Sequence, residues 1–288
     1  MSGLATYGRA EEIQVFLDSL RSQCFRSFEL VVVDQNPDER ICPFLERACA
    51  GSIEAVRLLQ DSPNLSLARN AGLHVARAEF VGFPDDDCWY EPETLFRVHE
   101  FLTSAPTVDG VVARWVDVTP DPDSGSPRRL SLETWRRFRG GDASSITLFL
   151  RRSLVKTLGG FDSRLGVGQW YGAGEETDLL LRLLAAGADI RVLSTARVRH
   201  APPLSTGRLS SDQWQAKRRR ERGVGALYVK HRLSPFVIAR GLLAPLMMNF
   251  IPRASSSATN GFALGLASTL GRFEGMLHWI VREGRDRI

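Results

Sequence analysis

The sequence is poor in cysteine and has no long uninterrupted apolar run. Its 288 residues include four cysteines, none of them in a Cys-x-x-Cys pair or at metal-type spacing. Scattered cysteines of this kind are typical of a reducing compartment, where they act as small apolar residues. No basic segment followed by an apolar one is found at the start of the chain, so no secretory signal is expected. These absences argue against a disulfide-stabilised secreted domain and favour a cytoplasmic protein.

The composition is that of an ordinary globular protein. Hydrophobic residues make up 43% of the chain and charged residues 24%, which is sufficient for one large domain or for a domain with an appendage. The net charge is only +4, but residues 214–232 are strongly basic. A basic segment at this end predicts an anionic partner there.

The first 83 residues alternate between short apolar runs and segments with helical spacing. The alternation predicts strands at 2–6, 28–34, 53–59 and 79–83 and helices at 10–22, 40–50 and 66–77, the last with Ser66 as a candidate N-cap. Such an order implies a mostly parallel sheet with right-handed crossovers. Ligands bind beyond the carboxyl ends of the strands in sheets of this kind, and acidic residues lie at two of those ends: Asp34, and Asp85 to Asp87.

The three consecutive aspartates are the first candidate site. In an extended backbone, side chains two residues apart point the same way, so Asp85 and Asp87 are expected to converge while Asp86 points across. Two convergent carboxylates suit Mg²⁺ or Mn²⁺, and the cation also neutralises their repulsion. His200, at the end of a strand-like run, could complete the metal shell. A turn with solvated aspartates is the alternative.

A second candidate site lies in residues 166–190, where a glycine-rich loop opens a helix. Glu175, Glu176 and Asp178 fall in the first turn of that helix, where the helix dipole favours acids even without a catalytic role. The loop before them carries Trp170 and Tyr171, and flexible glycine beside aromatic rings is typical of a sugar-binding loop.

The C-terminal region differs in character from the rest. In residues 261–281, apolar side chains recur at spacings of three and four and form one face of a helix; they are Phe262, Leu266, Leu270, Phe273, Leu277 and Ile280. Arg272, Glu274 and His278 argue against a transmembrane span. A helix in a membrane interface, a helical subdomain packed on the sheet, and a dimer contact all remain open.

Three ordered stretches together resemble family 2 glycosyltransferases of the GT-A fold. They are "LATYGRAEEIQVFLDSLRSQCFRSFELVVVDQNPDE", "LSLARNAGLHVARAEFVGFPDDDCWYEPETL" and "GGFDSRLGVGQWYGAGEETDLLLRLLAAG". The resemblance covers about residues 2–200 and is strongest to bacterial enzymes of surface-polysaccharide synthesis. It implies an α/β, Rossmann-like GT-A fold with a mostly parallel central sheet. Residues 1–205 would form the catalytic domain, with a nucleotide-sugar half at 1–103 and an acceptor half at 104–205. Residues 206–288 would form a basic, amphipathic helical appendage.

The resemblance also implies roles for individual residues. It assigns the nucleotide-sugar pocket to Thr6, Tyr7, Arg9, Asp34, Arg69, Asp85 and Asp86. It assigns the metal to Asp87, with Asp85 and His200 as further ligands, and the acceptor to Trp170 and Tyr171. The catalytic base corresponds to Glu176, where the family usually has Asp, so Glu175 and Asp178 remain alternatives. The family also usually has several residues before "LATYGR", so a short first strand is expected.

The activity implied is that of an inverting glycosyltransferase that depends on Mg²⁺ or Mn²⁺. It would move a sugar from a nucleoside-diphosphate donor to a hydroxyl of a glycan or lipid-linked acceptor, without a nucleic-acid partner. The expected location is the cytoplasm, with peripheral contact to the inner membrane. A catalytically inactive scaffold of the same fold, binding nucleotide or glycan, is the alternative. A nucleotidyltransferase is disfavoured because the segment "ATYGRAEE" has only one glycine with which to form a phosphate-binding loop.

Overall fold

The computed structural model describes residues 2–50, 53–116, 127–139, 143–200, 210–247 and 258–283, which form a central sheet flanked by helices. The strands are β1 (Ser2–Thr6), β2 (Glu29–Asp34), β3 (Glu54–Leu59), β4 (Phe80–Gly82), β5 (Cys88–Tyr90), β6 (Gly110–Trp115), β7 (Arg128–Arg129), β8 (Leu148–Arg151) and β9 (Ile190–His200). The helices are α1 (Glu12–Arg21), α2 (Cys42–Ala50), α3 (Leu65–Val75), α4 (Thr94–Ser104), α5 (Leu132–Arg136), α6 (Arg152–Thr157), α7 (Glu175–Ala185), α8 (Ser211–Lys230), α9 (Pro235–Met247) and α10 (Ala258–His278).

The first four strands form the parallel part of the sheet, as the alternation predicted. β2 lies between β1 and β3, and β4 lies on the other side of β1, with all three pairings parallel. Every residue of β2 is buried, as expected of a strand covered on both faces. The register pairs Thr6 with Asp34, so both residues lie at the carboxyl edge of the sheet.

The second half of the sheet is mixed. β8 runs antiparallel to both β4 and β6, whereas β6 and β9 are parallel. The regular strand–helix alternation ends after α4, and with it the geometric reason for parallel neighbours. β5 pairs antiparallel with β9, and the register places Cys88 opposite His200. His200 is thereby brought beside the aspartates that precede β5.

The hydrophobic core lies on both faces of the sheet. On one face α1, α2 and α4 pack against it through Phe16, Leu45 and Val98, among others. On the other face α6 and α7 contribute Val155 and Leu179.

Helix α3 begins earlier than predicted, and its N-cap is Asn64 rather than Ser66. The Asn64 side chain accepts a hydrogen bond from the backbone N–H of Leu67 at 3.0 Å, from an extended backbone conformation typical of a cap. The Ser66 hydroxyl instead donates to the carbonyl of Leu165 at 2.7 Å. The serine therefore anchors a distant loop.

The C-terminal helices α8 and α10 pack with almost no separation. A methyl group at Gly225 of α8 would overlap the carbonyl oxygen of Arg272, and one at Gly275 of α10 would overlap that of Arg222. The predicted apolar face of α10 is on the opposite side: Phe262, Leu266, Leu270, Phe273, Leu277 and Ile280 are all exposed. Within the described ranges, no helix is long and apolar enough to cross a membrane.

Candidate active site

Asp86 is held at the sheet edge by the loop that follows β1. The Thr6 hydroxyl donates to one Asp86 oxygen at 2.8 Å, and the Arg9 guanidinium donates to the other at 2.7 Å. Burial raises the pKa of Asp86 to about 6, although Arg9 and Thr6 oppose the shift. Three residues of the predicted nucleotide-sugar pocket are therefore in direct contact.

Asp87 lies beside His200, as the sequence predicted. One Asp87 oxygen is 3.0 Å from Nε2 of His200, and Asp87 also contacts Arg9. The expectation that Asp85 and Asp87 converge while Asp86 points across is wrong, because Asp86 and Asp87 share Arg9 and Asp85 binds Arg69. β4 ends at Gly82 and the chain turns at residues 86 and 87, so the alternation of an extended strand does not apply.

Arg69 joins the two acidic sites. Its guanidinium is almost completely buried and donates to Asp85 and to Glu175, each at 2.9 Å. Burial raises the pKa of Asp85, and the charge of Arg69 opposes that shift. The strand-end aspartates and the acids of α7 thus form one continuous array across both halves of the sheet.

The predicted metal ligands are only partly assembled. Asp87 and His200 converge, while Asp85 is directed at Arg69. No group of three or more His, Cys, Asp or Glu side chains is arranged to hold a metal in the described part of the chain. A carboxylate oxygen and an imidazole nitrogen at this separation are nevertheless a donor pair that Mn²⁺ accepts.

Glu176 lies at the start of α7, and its carboxyl group has a strongly raised pKa. Burial raises its pKa to about 8, and the charge of Glu175 together with a hydrogen bond to it adds to the shift. The helix begins at Gly174, which adopts φ +96°. A carboxyl group poised near neutral pH is typical of a general acid or base.

Asp178 has a different environment from Glu176. It is fully buried and contacts Arg182 at 2.9 Å, Lys230 at 2.6 Å and His231 at 2.8 Å. Burial opposes its ionisation, but hydrogen bonding to His231 and the charges of Lys230 and Arg182 keep its pKa below the usual value. Asp178 is therefore an ionised anchor for α8 and has no carboxylate oxygen directed at Arg69.

Asp34 is also held by partners that the sequence analysis did not identify. Arg57 of β3 donates to it at 2.7 and 3.0 Å, and the Asn36 side chain donates at 2.7 Å. The sequence signal for this contact was Arg57 itself, a single arginine within an otherwise apolar strand. A cleft of about 360 Å³ beside this group is lined by Asn36, Pro37, Asp38, Glu39, Arg57, Leu59, Gln60 and Asp61. Tyr7 lies in the loop above β1 and is half exposed.

The two predicted acceptor aromatics differ in exposure. Tyr171 is buried, whereas Trp170 is 41% exposed. Trp170 stacks on His278 of α10, with ring centroids 4.0 Å apart, and the Arg222 guanidinium lies 4.4 Å from the same ring. Neither His278 nor Arg222 was identified as a site residue from the sequence.

Comparison with known proteins decides the family. The model of "Glycosyl transferase family 2" matches residues 3–157, which is more than half of the chain. The chain belongs to glycosyl transferase family 2. The family is the one that the resemblance predicted, and the matched segment includes the aspartates of the sheet edge together with Arg69.

Curated relatives of this family 2 member carry the names of glycosyltransferases. A pre-mycofactocin glycosyltransferase of Mycobacterium tuberculosis is 27% identical over 242 residues, covering 78% of this chain and 48% of the relative. The putative glycosyltransferase EpsH of Bacillus subtilis is 29% identical over 90 residues, covering 31% of this chain and 26% of the relative. The chain thus spans less than half the length of these two relatives.

Solved structures confirm the GT-A fold. The mannosyltransferase PcManGT from Pyrobaculum calidifontis, solved in complex with GDP-Man and Mn²⁺, has a TM-score of 0.63 at 18% identity, covering 98% of this chain and 86% of that one. S. aureus TarS 1-349 in complex with UDP-GlcNAc has a TM-score of 0.58 at 17% identity, covering 94% of this chain and 90% of that one. Similarity at these identities establishes the fold.

Proposed function

We propose that this family 2 member is a metal-dependent inverting glycosyltransferase of cell-surface polysaccharide synthesis. It transfers a sugar from a nucleoside-diphosphate donor to a hydroxyl of a glycan or lipid-linked acceptor. The observation that carries the proposal is the bridge made by Arg69 between Asp85 and Glu175. Arg69 is buried and links the acids of the nucleotide half to the acids of α7. The residues proposed to bind the donor and those proposed to act on the acceptor therefore lie next to each other.

Glu176 is the base in this proposal. It takes a proton from the acceptor hydroxyl while that oxygen attacks the anomeric carbon, and the bond to the nucleoside diphosphate breaks on the opposite side. One such displacement inverts the configuration of the sugar. Glu175 is bound to Arg69, and Asp178 is enclosed by Arg182, Lys230 and His231, so Glu176 is the acid of α7 best suited to accept the proton.

The donor lies along the carboxyl edge of the sheet in this proposal. Arg69 stabilises the negative charge that develops on the leaving diphosphate, because a preformed cation needs no reorganisation during the reaction. Thr6, Arg9 and Asp86 hold the ribose side, and Tyr7 with Asp34 contacts the nucleoside.

Mn²⁺ or Mg²⁺ would be held by Asp87 and His200, with Asp85 as a further ligand. Asp87 and His200 fit such an ion because their donor atoms converge at the same edge as Arg69. The ion would supply Lewis-acid stabilisation of the leaving diphosphate. Neutralising Asp87 by Asp87→Asn should abolish activation by Mn²⁺, while Asp18→Asn, at an exposed acid of α1, should not.

The proposal assigns residues 1–205 to the catalytic domain and residues 206–288 to contact with the membrane at its cytoplasmic face. Besides the exposed apolar face of α10, helix α9 exposes Phe236, Leu243 and Met247. Exposed cations lie in the same region; they are Arg219, Arg220, Arg232 and Arg282. An apolar face beside cations is the combination that binds an anionic lipid surface.

A panel of UDP-, GDP-, dTDP- and CMP-linked sugars tests the proposal. With Mn²⁺ present, at least one donor should raise the melting temperature, and its sugar should be hydrolysed slowly or transferred to a lipid-linked acceptor. The Glu176→Gln variant should keep the melting shift and lose transfer. A chain that binds a donor yet gives neither hydrolysis nor transfer with any acceptor would be a scaffold, contrary to the proposal.

A further inference from the structure

The loop that precedes α7 is fixed on two sides. On one side the Asn64 side chain donates to the carbonyl of Ser163 at 3.0 Å, and Ser66 donates to that of Leu165. On the other side the Gly172 N–H donates to the carbonyl of Arg219 in α8 at 3.1 Å. The loop therefore lies between the nucleotide half and the C-terminal helices.

His278 of α10 contacts both aromatic residues of this loop. Its ring stacks on Trp170 at an interplanar angle of 25°, and its Nδ1 is 2.7 Å from the Tyr171 hydroxyl. Arg222 of α8 lies 4.4 Å from the centroid of the Trp170 ring. The orientation of Trp170 is thus determined largely by two side chains that come from outside the catalytic sheet.

The loop position also determines where Glu175 lies. A methyl group added at Gly166 would come within 3.2 Å of a Glu175 oxygen, so the loop backbone packs directly on that carboxylate. Glu175 in turn binds Arg69 and precedes Glu176. A shift of Trp170 and Tyr171 would therefore be transmitted through a short rigid path to the proposed base.

α10 contacts the loop at Trp170 and Tyr171 with one face and exposes an apolar surface on the opposite face. Its inner face carries His278, together with Gly271 and Gly275 against α8. Its outer face is apolar and exposed, with Phe273 at 50% and Leu277 at 47%. A helix packed this closely moves as a unit, because neither glycine contact leaves room for sliding.

We propose that His278 is a positioning residue for the acceptor side of the site, and that α10 transmits binding of an anionic lipid surface to the loop at Trp170 and Tyr171. The inference rests on the proposed transferase function. Contact of the outer face with lipid fixes α10, and His278 then holds Trp170 and Tyr171 in the arrangement that receives the acceptor. Transfer to a lipid-linked acceptor is therefore faster on an anionic membrane than in solution.

Steady-state kinetics test the positioning role. His278→Ala should raise the acceptor KM or lower kcat at least tenfold, while the melting shift caused by the nucleotide-sugar donor stays as in the wild type. His278→Phe, which keeps a ring against Trp170, should recover part of the loss. Val15→Ala, at an exposed apolar position of α1, is the control and should keep the wild-type acceptor KM. Wild-type acceptor kinetics in a folded His278→Ala variant would overturn the assignment.

Fluorescence tests the transmission without any activity. The emission of Trp170 is obtained as the difference between the wild type and Trp170→Phe, each with and without phosphatidylglycerol vesicles. In a chain with His278 intact, the vesicles should change the emission of Trp170. In the His278→Ala background they should leave the emission of Trp170 unchanged, although the His278→Ala protein still sediments with the vesicles. Phosphatidylcholine vesicles should have no effect. An equal change in both backgrounds, or no change in either, would contradict the inference, and neither result depends on whether transfer is detected.

Discussion

Glu176 occupies a position that disfavours its charge. It is largely removed from water and lies next to a second carboxylate, while the nearest cation, Arg69, is already bound to Glu175 and Asp85. These surroundings raise the pKa of Glu176, and a raised pKa makes its carboxylate a better proton acceptor during the reaction. An aspartate here, as the family usually has, would be one methylene shorter.

Replacement of Glu176 by glutamine should lower kcat by about 10²–10⁴-fold, the usual contribution of a general base. Because burial raises the pKa of Glu176 to about 8, kcat/KM of the wild type should rise with pH through that value. The pH–rate profile of both proteins checks this expectation. Glu133→Gln, at an exposed acid of α5, is the control and should match the wild type. A wild-type profile that is flat from pH 6 to 9 would contradict the base assignment.

Part of this site could be predicted at the residue scale. The register of β5 and β9 joins His200 to Asp87, and both residues were identified from their places at strand ends. The partners of buried acids were not, because an arginine such as Arg57 or Arg222 has the same sequence signature whether it binds a carboxylate or water. Asp85 and Asp87 have different partners because the chain turns between them. Three consecutive aspartates give no sequence signal for that turn.

At the scale of elements, the pair α8–α10 depends on glycine. Gly225 and Gly275 let the two backbones approach until a carbonyl oxygen of one helix touches the other. Arg218 and Arg222 of α8 then both bind Glu274 of α10, and Arg272 binds Glu221 at 2.6 Å. The ion pairs fix the rotation of each helix about its axis.

Gly275→Ala should destabilise the protein by about 1–3 kcal/mol, since the added methyl overlaps a backbone carbonyl that cannot move independently. The matched control is Gly72→Ala within α3, where the nearest atom to an added methyl is 3.5 Å away. That change should be neutral or stabilising because alanine favours helix. Urea unfolding of both variants measures the difference, and equal stabilities would show that the helices are not tightly packed.

The amphipathic face of α10 was predicted from spacing alone, but its direction was not. Apolar periodicity indicates that one side of a helix avoids water; it does not say whether protein or lipid covers that side. The inner face of α10 is made of Gly271, Gly275 and charged residues, a pattern that hydrophobic periodicity does not detect. The boundaries of α1, α2 and α3, by contrast, lie within two residues of the predicted ranges.

For the whole molecule, buried ion pairs connect the C-terminal helices to the catalytic sheet. Lys230 of α8 contacts Asp162 and Asp178, each at 2.6 Å. Burial opposes ionisation of both acids, but their cationic partners lower both pKa values. A lowered pKa in the folded state stabilises the protein above the unfolded pKa, and this stability is lost as the pH falls through the folded value.

The free energy of unfolding should therefore decrease steadily below about pH 4. Lys230→Met should reduce it by about 1–3 kcal/mol at neutral pH, because Asp178 loses one of its three partners in a buried position. The variant should also show a weaker dependence on pH in the acid range. Urea unfolding from pH 3 to 7 measures both effects, and parallel curves for the two proteins would contradict this account.

The proposed membrane contact is also tested on the whole chain. The protein should sediment with phosphatidylglycerol vesicles, and less strongly at high salt because screening weakens the attraction of its exposed arginines. Phe273→Asp with Leu277→Asp should abolish sedimentation. Val15→Asp, at an equally exposed apolar residue of α1, should not. A wild-type chain that stays in the supernatant at low salt would refute the proposed membrane contact.

The contacts of Asp178 also bear on how this protein could be recombined with its relatives. The carboxylate belongs to α7, yet its partners Lys230 and His231 come from the end of α8 and the residue after it. A chimera that joins residues 1–205 to the C-terminal helices of another family member would leave Asp178 charged, buried and short of partners unless the donor supplies matching cations. The C-terminal helices are thus exchangeable only together with α7, or for helices that supply equivalents of Lys230 and His231.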